Sequence, residues 1–280
     1  MTIADQLREA TSLLREAGVP EARREAGSLL SFVIGRDRTF LISHADDLIG
    51  EPDLVRFREG VARRATGEPL QYITGVQDFF GREFRVTPDT LIPRPETELL
   101  VEAALEVMGE ASSICDVGTG SGCIAVTLLC ERTDARAIAV DVSQAALAVA
   151  AENAQRHGVS DRIVFAVSDC FETIDSQFDL IVSNPPYVTA EALPGLQREV
   201  KDHEPLIALS PGGDGLGVIR RLLDDGPAYL KKSGYLIMEI GFDQSEKVQQ
   251  LINPSVWQRQ EVRPDLQGIP RIVVLSCHKP

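Results

Sequence analysis

The spacing of hydrophobic residues along the chain changes near residue 112. Up to about residue 75, apolar residues recur at intervals of three and four, which is typical of amphipathic helices. Beyond residue 112, short apolar runs of five or six residues alternate with longer helical segments. Strands that alternate with helices predict an open, mostly parallel sheet covered on both faces. The pattern therefore predicts a helical N-terminal part followed by an α/β part.

The helical part, residues 1–74, is predicted to form a small bundle. Its first helix ends at Gly18, the second begins near Pro20 and the third begins near Pro52. Apolar residues fall on one face of each helix, as expected for packing in a bundle. In the first helix these residues are Ile3, Leu7, Leu13, Leu14 and Ala17. This part shows no candidate for catalysis.

Short β-rich runs around Gly81, within residues 75–90, predict a β-hairpin that links the helical part to the rest of the chain. Residues 91–280 are predicted to form one α/β domain, which begins with a helix from Pro95 to about Met108. Its parallel strands are predicted at 113–117, 136–141, 162–167, 178–183 and 235–240. A closing antiparallel pair, at 256–262 and 271–276, completes a seven-stranded sheet.

Composition narrows the class of protein. The 280 residues are 44% hydrophobic and 25% charged, as in soluble globular proteins, and no apolar run approaches the ~20 residues of a membrane-spanning helix. The N-terminus lacks the layout of a signal peptide, so we expect a cytoplasmic location. Five scattered cysteines without a C-x-x-C pair indicate neither a disulfide framework nor a metal site. The sequence contains no feature that indicates an oligomer, so we expect a monomer.

The net charge of −14 is unevenly distributed. Ten arginines and twelve acidic residues give residues 1–75 a net charge of −2, so the remaining −12 lies in residues 76–280. A protein that binds nucleic acid usually carries a basic face for the phosphates, and this sequence has no long basic stripe. The charge therefore favours a basic protein partner over a bare nucleic acid.

A glycine-rich segment, "DVGTGSG" at residues 116–122, lies between the first predicted strand of the sheet and the next helix. Ligands of open α/β sheets bind at this place, because glycines let the backbone approach them closely. Asp141 ends the next strand, where its carboxylate can accept hydrogen bonds from ribose hydroxyls. We expect a cofactor to contact Asp116, Gly118, Thr119, Gly120, Ser121, Gly122 and Asp141.

The residues of this loop favour one class of cofactor. A dinucleotide site has the spacing G-x-G-x-x-G, whereas this loop reads G-x-G-x-G. Asp116 also places a carboxylate beside the loop, which is unfavourable next to a pyrophosphate. The same carboxylate suits the ammonium group and the nearby sulfonium of S-adenosylmethionine. The sequence therefore predicts an S-adenosylmethionine site.

The strand predicted at 178–183 ends in "NPPY", residues 184–187. Two adjacent prolines have fixed φ and no N–H group, so they form a rigid corner that neither a strand nor a helix interior can continue. In a doubly wound sheet this strand lies beside the first one, and its end faces the cofactor crevice. We therefore expect Asn184 to lie beside the transferable methyl group.

The corner suits methylation of a planar NH2 group, which is a poor nucleophile because its lone pair is delocalised. The side-chain oxygen of Asn184 and the carbonyl of Pro185 can hold its two hydrogens, so that the lone pair points at the methyl carbon. Pro186 keeps the corner rigid, and Tyr187 offers a flat face to the target group. Positioning of this kind accounts for roughly 7–11 kcal/mol of a barrier. The target is either a side-chain amide or the exocyclic amine of adenine.

"DVGTGSG", "NPPY" and the upstream "LIPRPETE" (residues 91–98) together resemble the release-factor glutamine methyltransferases of the HemK type, and the resemblance covers nearly the whole chain. It implies a Rossmann-like S-adenosylmethionine-dependent methyltransferase domain behind a small helical domain that recognises the substrate. The implied reaction is methylation of the side-chain nitrogen, N5, of the glutamine in the Gly-Gly-Gln motif of peptide-chain release factors.

By this resemblance, Asp169, Cys170 and Asn184 join the glycine loop in binding the cofactor. The glutamine is held by Asn184, Pro185, Pro186 and Tyr187, of which Asn184, Pro185 and Tyr187 are expected to be catalytic. Many family members carry an aromatic residue at the position of Cys170, so Phe165 or Phe171 is a candidate to pack against adenine instead. Glu98 of "LIPRPETE" is expected to face the site.

Two alternative functions remain open. An N6-adenine methyltransferase of nucleic acid uses a similar corner, but a basic target-reading domain is then expected, and residues 1–75 have a net charge of −2. A related enzyme methylates a glutamine of a ribosomal protein, and its segment differs from "LIPRPETE" after the arginine.

Overall fold

A computed structural model of the chain describes residues 1–110 and 112–277, with 259 and 260 by their backbone alone. The chain divides into two compact units. The helical unit comprises Met1–Val76 and Gln197–His203, and the α/β unit comprises Gln77–Leu196 and the chain from Glu204 onward. From Gln77 onward, the predicted linker hairpin thus groups with the α/β unit. The segment 197–203, which was predicted within the α/β domain, groups with the helices.

The helical unit is built from helices that we number along the whole chain. They are α1 (Ile3–Glu16), α2 (Ala22–Ile34), α3 (Arg38–Ser43), α4 (Glu51–Ala65), α5 (Leu70–Thr74) and α9 (Arg198–His203). The three long helices are the predicted ones. The short helices were not predicted, because five or six residues are too few to show a helical period.

The buried face of α1 differs from the predicted stripe at Leu13 and at Ala17, which are both exposed. Ile3, Gln6, Ala10 and Leu14 are buried, whereas Leu13 is 49% exposed. The buried residues follow the spacing of three and four, and Leu13 lies about 100° around the helix from Leu14. Its inclusion in the predicted stripe was therefore wrong.

A buried arginine joins the two pieces of chain in the helical unit. Arg64, on α4, is 4% exposed and forms ion pairs with Glu25 on α2 and with Glu199 on α9. The distance from Arg64 to Glu199 is 2.7 Å, and a further bond of 3.3 Å reaches the backbone oxygen of Glu68. The guanidinium thereby fixes α9 to helices that are more than a hundred residues away in sequence.

Replacing Arg64 by alanine is expected to lower the free energy of unfolding by about 3 kcal/mol, because it leaves the partly buried Glu25 and Glu199 without their cation. Denaturant unfolding followed by circular dichroism measures this. Arg63→Ala is the matched control on the same helix: its partner is Glu68 and its side chain is 50% exposed, so a loss below about 1 kcal/mol is expected. Equal losses in the two variants would show that the buried ion pairs are not what stabilises this unit.

In the α/β unit, a two-stranded hairpin precedes a seven-stranded sheet. The hairpin is formed by β1 (Val76–Phe79) and β2 (Arg82–Arg85). The strands of the sheet are β3 (Ser113–Val117), β4 (Arg136–Asp141), β5 (Ile163–Val167), β6 (Phe178–Ser183), β7 (Leu230–Glu239), β8 (Trp257–Pro264) and β9 (Pro270–Cys277). Their order is β5-β4-β3-β6-β7-β9-β8, with β3 to β7 parallel and β9 antiparallel to both neighbours. The predicted seven-stranded, mostly parallel sheet is confirmed.

Helices cover both faces of this sheet. They are α6 (Glu98–Val107), α7 (Cys123–Glu131), α8 (Gln144–Arg156), α10 (Leu206–Leu209), α11 (Gly217–Tyr229) and α12 (Ser245–Leu251). Leu180 and its neighbour Ile181 on β6 belong to different buried clusters, because successive side chains of a strand point to opposite faces. None of the helices formed by the described residues is both long and apolar enough to cross a membrane.

Candidate active site

A cavity of about 450 Å³ lies at the ends of the parallel strands of the α/β unit. Its size is within the range of small-molecule sites. The predicted site residues in its lining are Gly118, Thr119, Gly120, Ser121, Asp141, Asp169, Cys170, Asn184, Pro185 and Pro186. Asp116, Gly122 and Tyr187 are outside this lining as the described residues form it. The tertiary structure thus brings both predicted motifs, the glycine loop and the proline corner, to one place.

The three glycines of the loop have two different tasks. Gly118, Gly120 and Gly122 have φ of +74°, +55° and +80°, a region that only glycine adopts readily. A Cβ on Gly118 or Gly120 would meet no atom within 4 Å, so these two keep the backbone open toward the cavity. A Cβ on Gly122 would lie 3.1 Å from that of Ala150, so this glycine lets α7 pack closely against α8.

Asp116 supports the glycine loop from behind. Its Oδ2 accepts from the Thr119 hydroxyl at 2.6 Å and from the Ala125 N–H at 3.3 Å, and the side chain is fully buried. Oδ1 has no hydrogen-bond partner among the described residues, and burial raises the pKa of the carboxyl to about 7. The contacts show a role in shaping the loop, while contact with an ammonium group stays a prediction.

Asp141 connects the loop to the start of α8. Its Oδ2 accepts from the Gly120 N–H at 2.9 Å and its Oδ1 from the Ser143 N–H at 2.9 Å. Burial raises the pKa of this carboxyl, and these backbone bonds oppose the rise. Each carboxylate oxygen keeps a lone pair with which to accept from a ligand hydroxyl. Contact of Asp141 with ribose hydroxyls stays a prediction.

Arg221, on α11, fixes the corner that carries Asp169 and Cys170. It donates to Asp169 Oδ1 at 2.6 Å and to the backbone oxygen of Asp169 at 2.9 Å. Cys170 then has φ of +52°, which is uncommon for a residue other than glycine. All three residues line the cavity. The sequence did not reveal Arg221, because one arginine on an amphipathic helix is indistinguishable from a solvent-exposed one.

The aromatic candidates for adenine packing do not reach the cavity. Phe171 is 3% exposed and stacks on Tyr229, with ring centroids 4.5 Å apart. Neither Phe171 nor Phe165 is among the described lining residues. The stacking partner and the neighbouring residues of α11 place the Phe171 ring in the hydrophobic core, which disfavours it for packing against adenine, while Phe165 stays a prediction.

A buried chain of hydrogen bonds lies behind the proline corner. Asn184 Nδ2 donates to Thr97 Oγ1 at 3.0 Å, and Thr97 Oγ1 donates to Glu239 Oε2 at 2.7 Å. The Tyr187 hydroxyl donates to Glu239 Oε1 at 3.3 Å, and burial raises the pKa of this hydroxyl. Thr97 and Glu239 are each 1% exposed. The proline corner is thus tied to the end of β7.

Sequence reasoning missed Thr97 and Glu239. Glu239 had a usable signal, since it is a carboxylate within the apolar run "YLIMEIG" at the end of a strand predicted to lie in the sheet. Glu98, which was expected to face the site, instead accepts from the Phe80 N–H at 2.7 Å and so holds the tip of the hairpin. That expectation was wrong, because Glu98 begins α6 and points to the hairpin turn.

The charge of the cavity fits S-adenosylmethionine. Its described lining contains three acidic residues, Asp89, Asp141 and Asp169, and one basic residue, Arg221. Arg221 is already paired with Asp169, so the wall is negative overall. The cofactor carries an ammonium and a sulfonium cation, which such a wall attracts, whereas a pyrophosphate would be repelled. The residues present therefore fit the predicted cofactor.

Comparison with known proteins places the chain in a family. Residues 5–75 match the family model of the PrmC N-terminal domain, and residues 95–214 match that of the methyltransferase small domain. The chain is 46% identical to the release factor glutamine methyltransferase of Cereibacter sphaeroides, over 98% of both chains. It is 40% identical to the protein of the same name from Bacillus subtilis, over 99% of both chains.

Solved structures agree on the fold. The hMettl16 catalytic domain in complex with the MAT2A 3′UTR hairpin 1 superposes with a TM-score of 0.60 at 15% identity, covering 90% of this chain and 93% of that one. A methyltransferase from Pyrococcus furiosus gives 0.54 at 14% identity, over 77% and 96%. At this identity the likeness shows only the Rossmann-like methyltransferase fold. With 40% identity or more over nearly its whole length, the chain belongs to the release factor glutamine methyltransferases, a family of S-adenosyl-L-methionine-dependent enzymes.

Proposed function

We propose that this chain methylates the side-chain amide nitrogen, N5, of the glutamine in the Gly-Gly-Gln motif of peptide-chain release factors. One observation carries the proposal: Asn184 lines the cavity while its own NH2 group is bound to Thr97, so its oxygen is left to accept from a substrate NH2 group. Identity to release factor glutamine methyltransferases over whole chains supports the substrate. A cytoplasmic location follows from such a substrate, and residues 1–74 are the part proposed to recognise it.

The corner activates the amide by orienting it. Asn184 and Pro185 offer two oxygen acceptors, one from a side chain and one from the backbone, to the two hydrogens of the substrate nitrogen. Pro185 and Pro186 hold these acceptors in place because their φ angles are fixed. When bound, the cofactor supplies an electrophilic methyl group on a sulfonium. Tyr187 extends the corner toward Glu239 through its hydroxyl. The corner needs no strong base, since the amide proton can leave after transfer.

The cofactor would be held by the residues that line the other half of the cavity. The backbone of Gly118 to Gly120 leaves open space, and Asp141 has lone pairs for the ribose hydroxyls. Asp169 and Cys170 form the wall that Arg221 keeps in place. These residues would bind and orient the cofactor, while Asn184, which lines the same cavity, would hold the substrate amide.

A mass assay tests this function. Purified protein and S-adenosyl-L-methionine are mixed with an unmodified release factor, and intact-protein and peptide masses are recorded. We expect one added methyl group, confined to the glutamine of the Gly-Gly-Gln motif, and no methylation of a release factor in which that glutamine is alanine. A DNA oligomer and ribosomal proteins are included as the alternative acceptors. Transfer to adenine or to a ribosomal protein, with none to the release factor, would overturn the proposal.

A further inference from the structure

The side-chain amide of Asn184 has two ends with opposite chemistry. Its oxygen only accepts hydrogen bonds and its NH2 group only donates them. A substrate NH2 group needs the oxygen, and an amide turned by 180° would place two NH2 groups face to face. The two orientations have nearly the same shape, so the surrounding hydrogen bonds must decide between them.

The hydrogen bond with Thr97 fixes the orientation of the Asn184 amide. The threonine hydroxyl has a single hydrogen, which it donates to Glu239 Oε2 at 2.7 Å. Toward Asn184, 3.0 Å away, the same hydroxyl can then only accept. The end of Asn184 that faces Thr97 must therefore be the NH2 group. This leaves the oxygen for the substrate.

The hydroxyl in turn depends on Glu239. An ionised carboxylate is only an acceptor, so it accepts from Thr97 and also from the Tyr187 hydroxyl at 3.3 Å. A protonated carboxyl can donate to Thr97 instead, and the Thr97 hydrogen would then turn to Asn184 and favour the reversed amide. We propose that Glu239 is a positioning residue whose carboxylate, acting through Thr97, keeps the oxygen of Asn184 turned toward the substrate. This inference rests on the proposed function.

The surroundings of Glu239 raise the pKa of its carboxyl toward neutral pH. Burial raises the pKa of this carboxyl to about 7, and the hydrogen bonds from Thr97 and Tyr187 oppose the rise. Arg271 on β9 also lowers the pKa, whereas Glu96, before α6, raises it. Cys123 on α7 is a further neighbour, whose own pKa Glu239 helps to raise. We therefore expect kcat to fall on the acid side of about pH 7.

The variant Glu239→Gln keeps the shape of the side chain and resembles the protonated state. Its amide has one accepting and one donating end, so at every pH the variant no longer obliges the Thr97 hydroxyl to donate toward residue 239, and the orientation of Asn184 is no longer fixed. We expect kcat at pH 8 to fall by about 10²-fold, as when one preorganised hydrogen bond is lost, with KM changed less than about three-fold. The fall of kcat below about pH 7, which is the acid limb of the pH profile, should also disappear. Asp116 has a pKa of about 7 as well, and a limb that it caused would persist in this variant.

Thr97 provides the matched pair of variants. Thr97→Val removes the hydroxyl at nearly constant volume and should lower kcat about as much as Glu239→Gln does. Thr97→Ser keeps the hydroxyl and should restore most of the activity, together with the acid limb. A role in side-chain packing alone predicts the opposite order, because serine leaves a small cavity and valine fills the site.

A spectroscopic titration tests the relay, the hydrogen-bond chain from Glu239 through Thr97 to Asn184, without turnover. In protein labelled with 15N-asparagine, the side-chain NH2 resonances of Asn184 are identified by their absence in Asn184→Ala and followed between pH 5 and 9. We expect them to shift with an apparent pKa near 7 in the wild type, and this transition to vanish in Glu239→Gln and in Thr97→Val. If the wild type shows the titration but transfers no methyl to a release factor, the proposed function fails and the relay stands. Asn184 resonances that do not titrate, or a Glu239→Gln variant that keeps wild-type kcat and its acid limb, would overturn the inference.

Discussion

Replacing Asn184 by alanine is expected to lower kcat by about 10³-fold or more while the affinity for the cofactor changes less than about three-fold. The side chain supplies one of the two acceptors that orient the substrate nitrogen, and alanine removes it. Cofactor affinity is preserved because the glycine loop and Asp141 remain in place. Steady-state kinetics with a release factor, and calorimetry with S-adenosylhomocysteine, measure the two quantities separately.

The control for this variant is Asn253→Ala. Asn253 is an exposed asparagine of the same unit whose Oδ1 accepts from the nearby Ser255 N–H at 2.9 Å. Its replacement should leave both kcat and cofactor affinity at wild-type values. A large loss of cofactor binding in Asn184→Ala would instead show that the main task of Asn184 is to bind the cofactor.

Replacing Gly215 by alanine is expected to disrupt the proline corner from behind. A Cβ at this position would lie 2.2 Å from the backbone oxygen of Tyr187, and φ is +76°. That oxygen accepts from Gln244 Nε2 at 3.0 Å, so the corner cannot move without breaking this bond. We expect the free energy of unfolding to fall by about 3 kcal/mol or more and kcat by at least about 10²-fold. Thermal unfolding and the methylation assay measure the two effects.

Gly213→Ala separates the steric contact from backbone strain. Gly213 lies in the same loop and has φ of +54°, but a Cβ there would meet no atom within 4 Å. The free energy of unfolding of this variant should therefore fall only by the roughly 1–2 kcal/mol that an alanine in the left-handed region costs. Most of the methylation activity should remain. Similar losses in both variants would mean that strain in the loop, and not contact with Tyr187, is the cause.

The architecture of the α/β unit could be predicted because each strand is a short apolar run bounded by a turn or a helix. The runs at 113–117, 136–141 and 178–183 coincide with β3, β4 and β6. The position of β6 beside β3 followed from the usual winding of such sheets. This placement predicts that "DVGTGSG" and "NPPY" meet, and residues of both motifs line the cavity.

The helical part was predicted less completely. Short helices such as α3 and α5 have no recognisable period, and α9 is tied to the other helices by the ion pair between Arg64 and Glu199. Such a pair joins positions 135 residues apart, and neither residue differs in sequence from an ordinary surface charge. Burial, which only the folded chain shows, is what distinguishes them.

The local chemistry of this protein was determined by the sequence alone: a glycine loop, a carboxylate at the end of the next strand and a rigid Asn-Pro-Pro-Tyr corner. These features are short and contiguous, so their backbone requirements are visible in the residue types. The tertiary structure decided what holds them in place. Thr97 contacts Asn184 across 87 residues and Glu239 across 142. Hydrogen bonds of 2.7 to 3.0 Å between such distant positions depend on how the strands and helices pack. This packing does not produce a recognisable pattern of residues along the sequence.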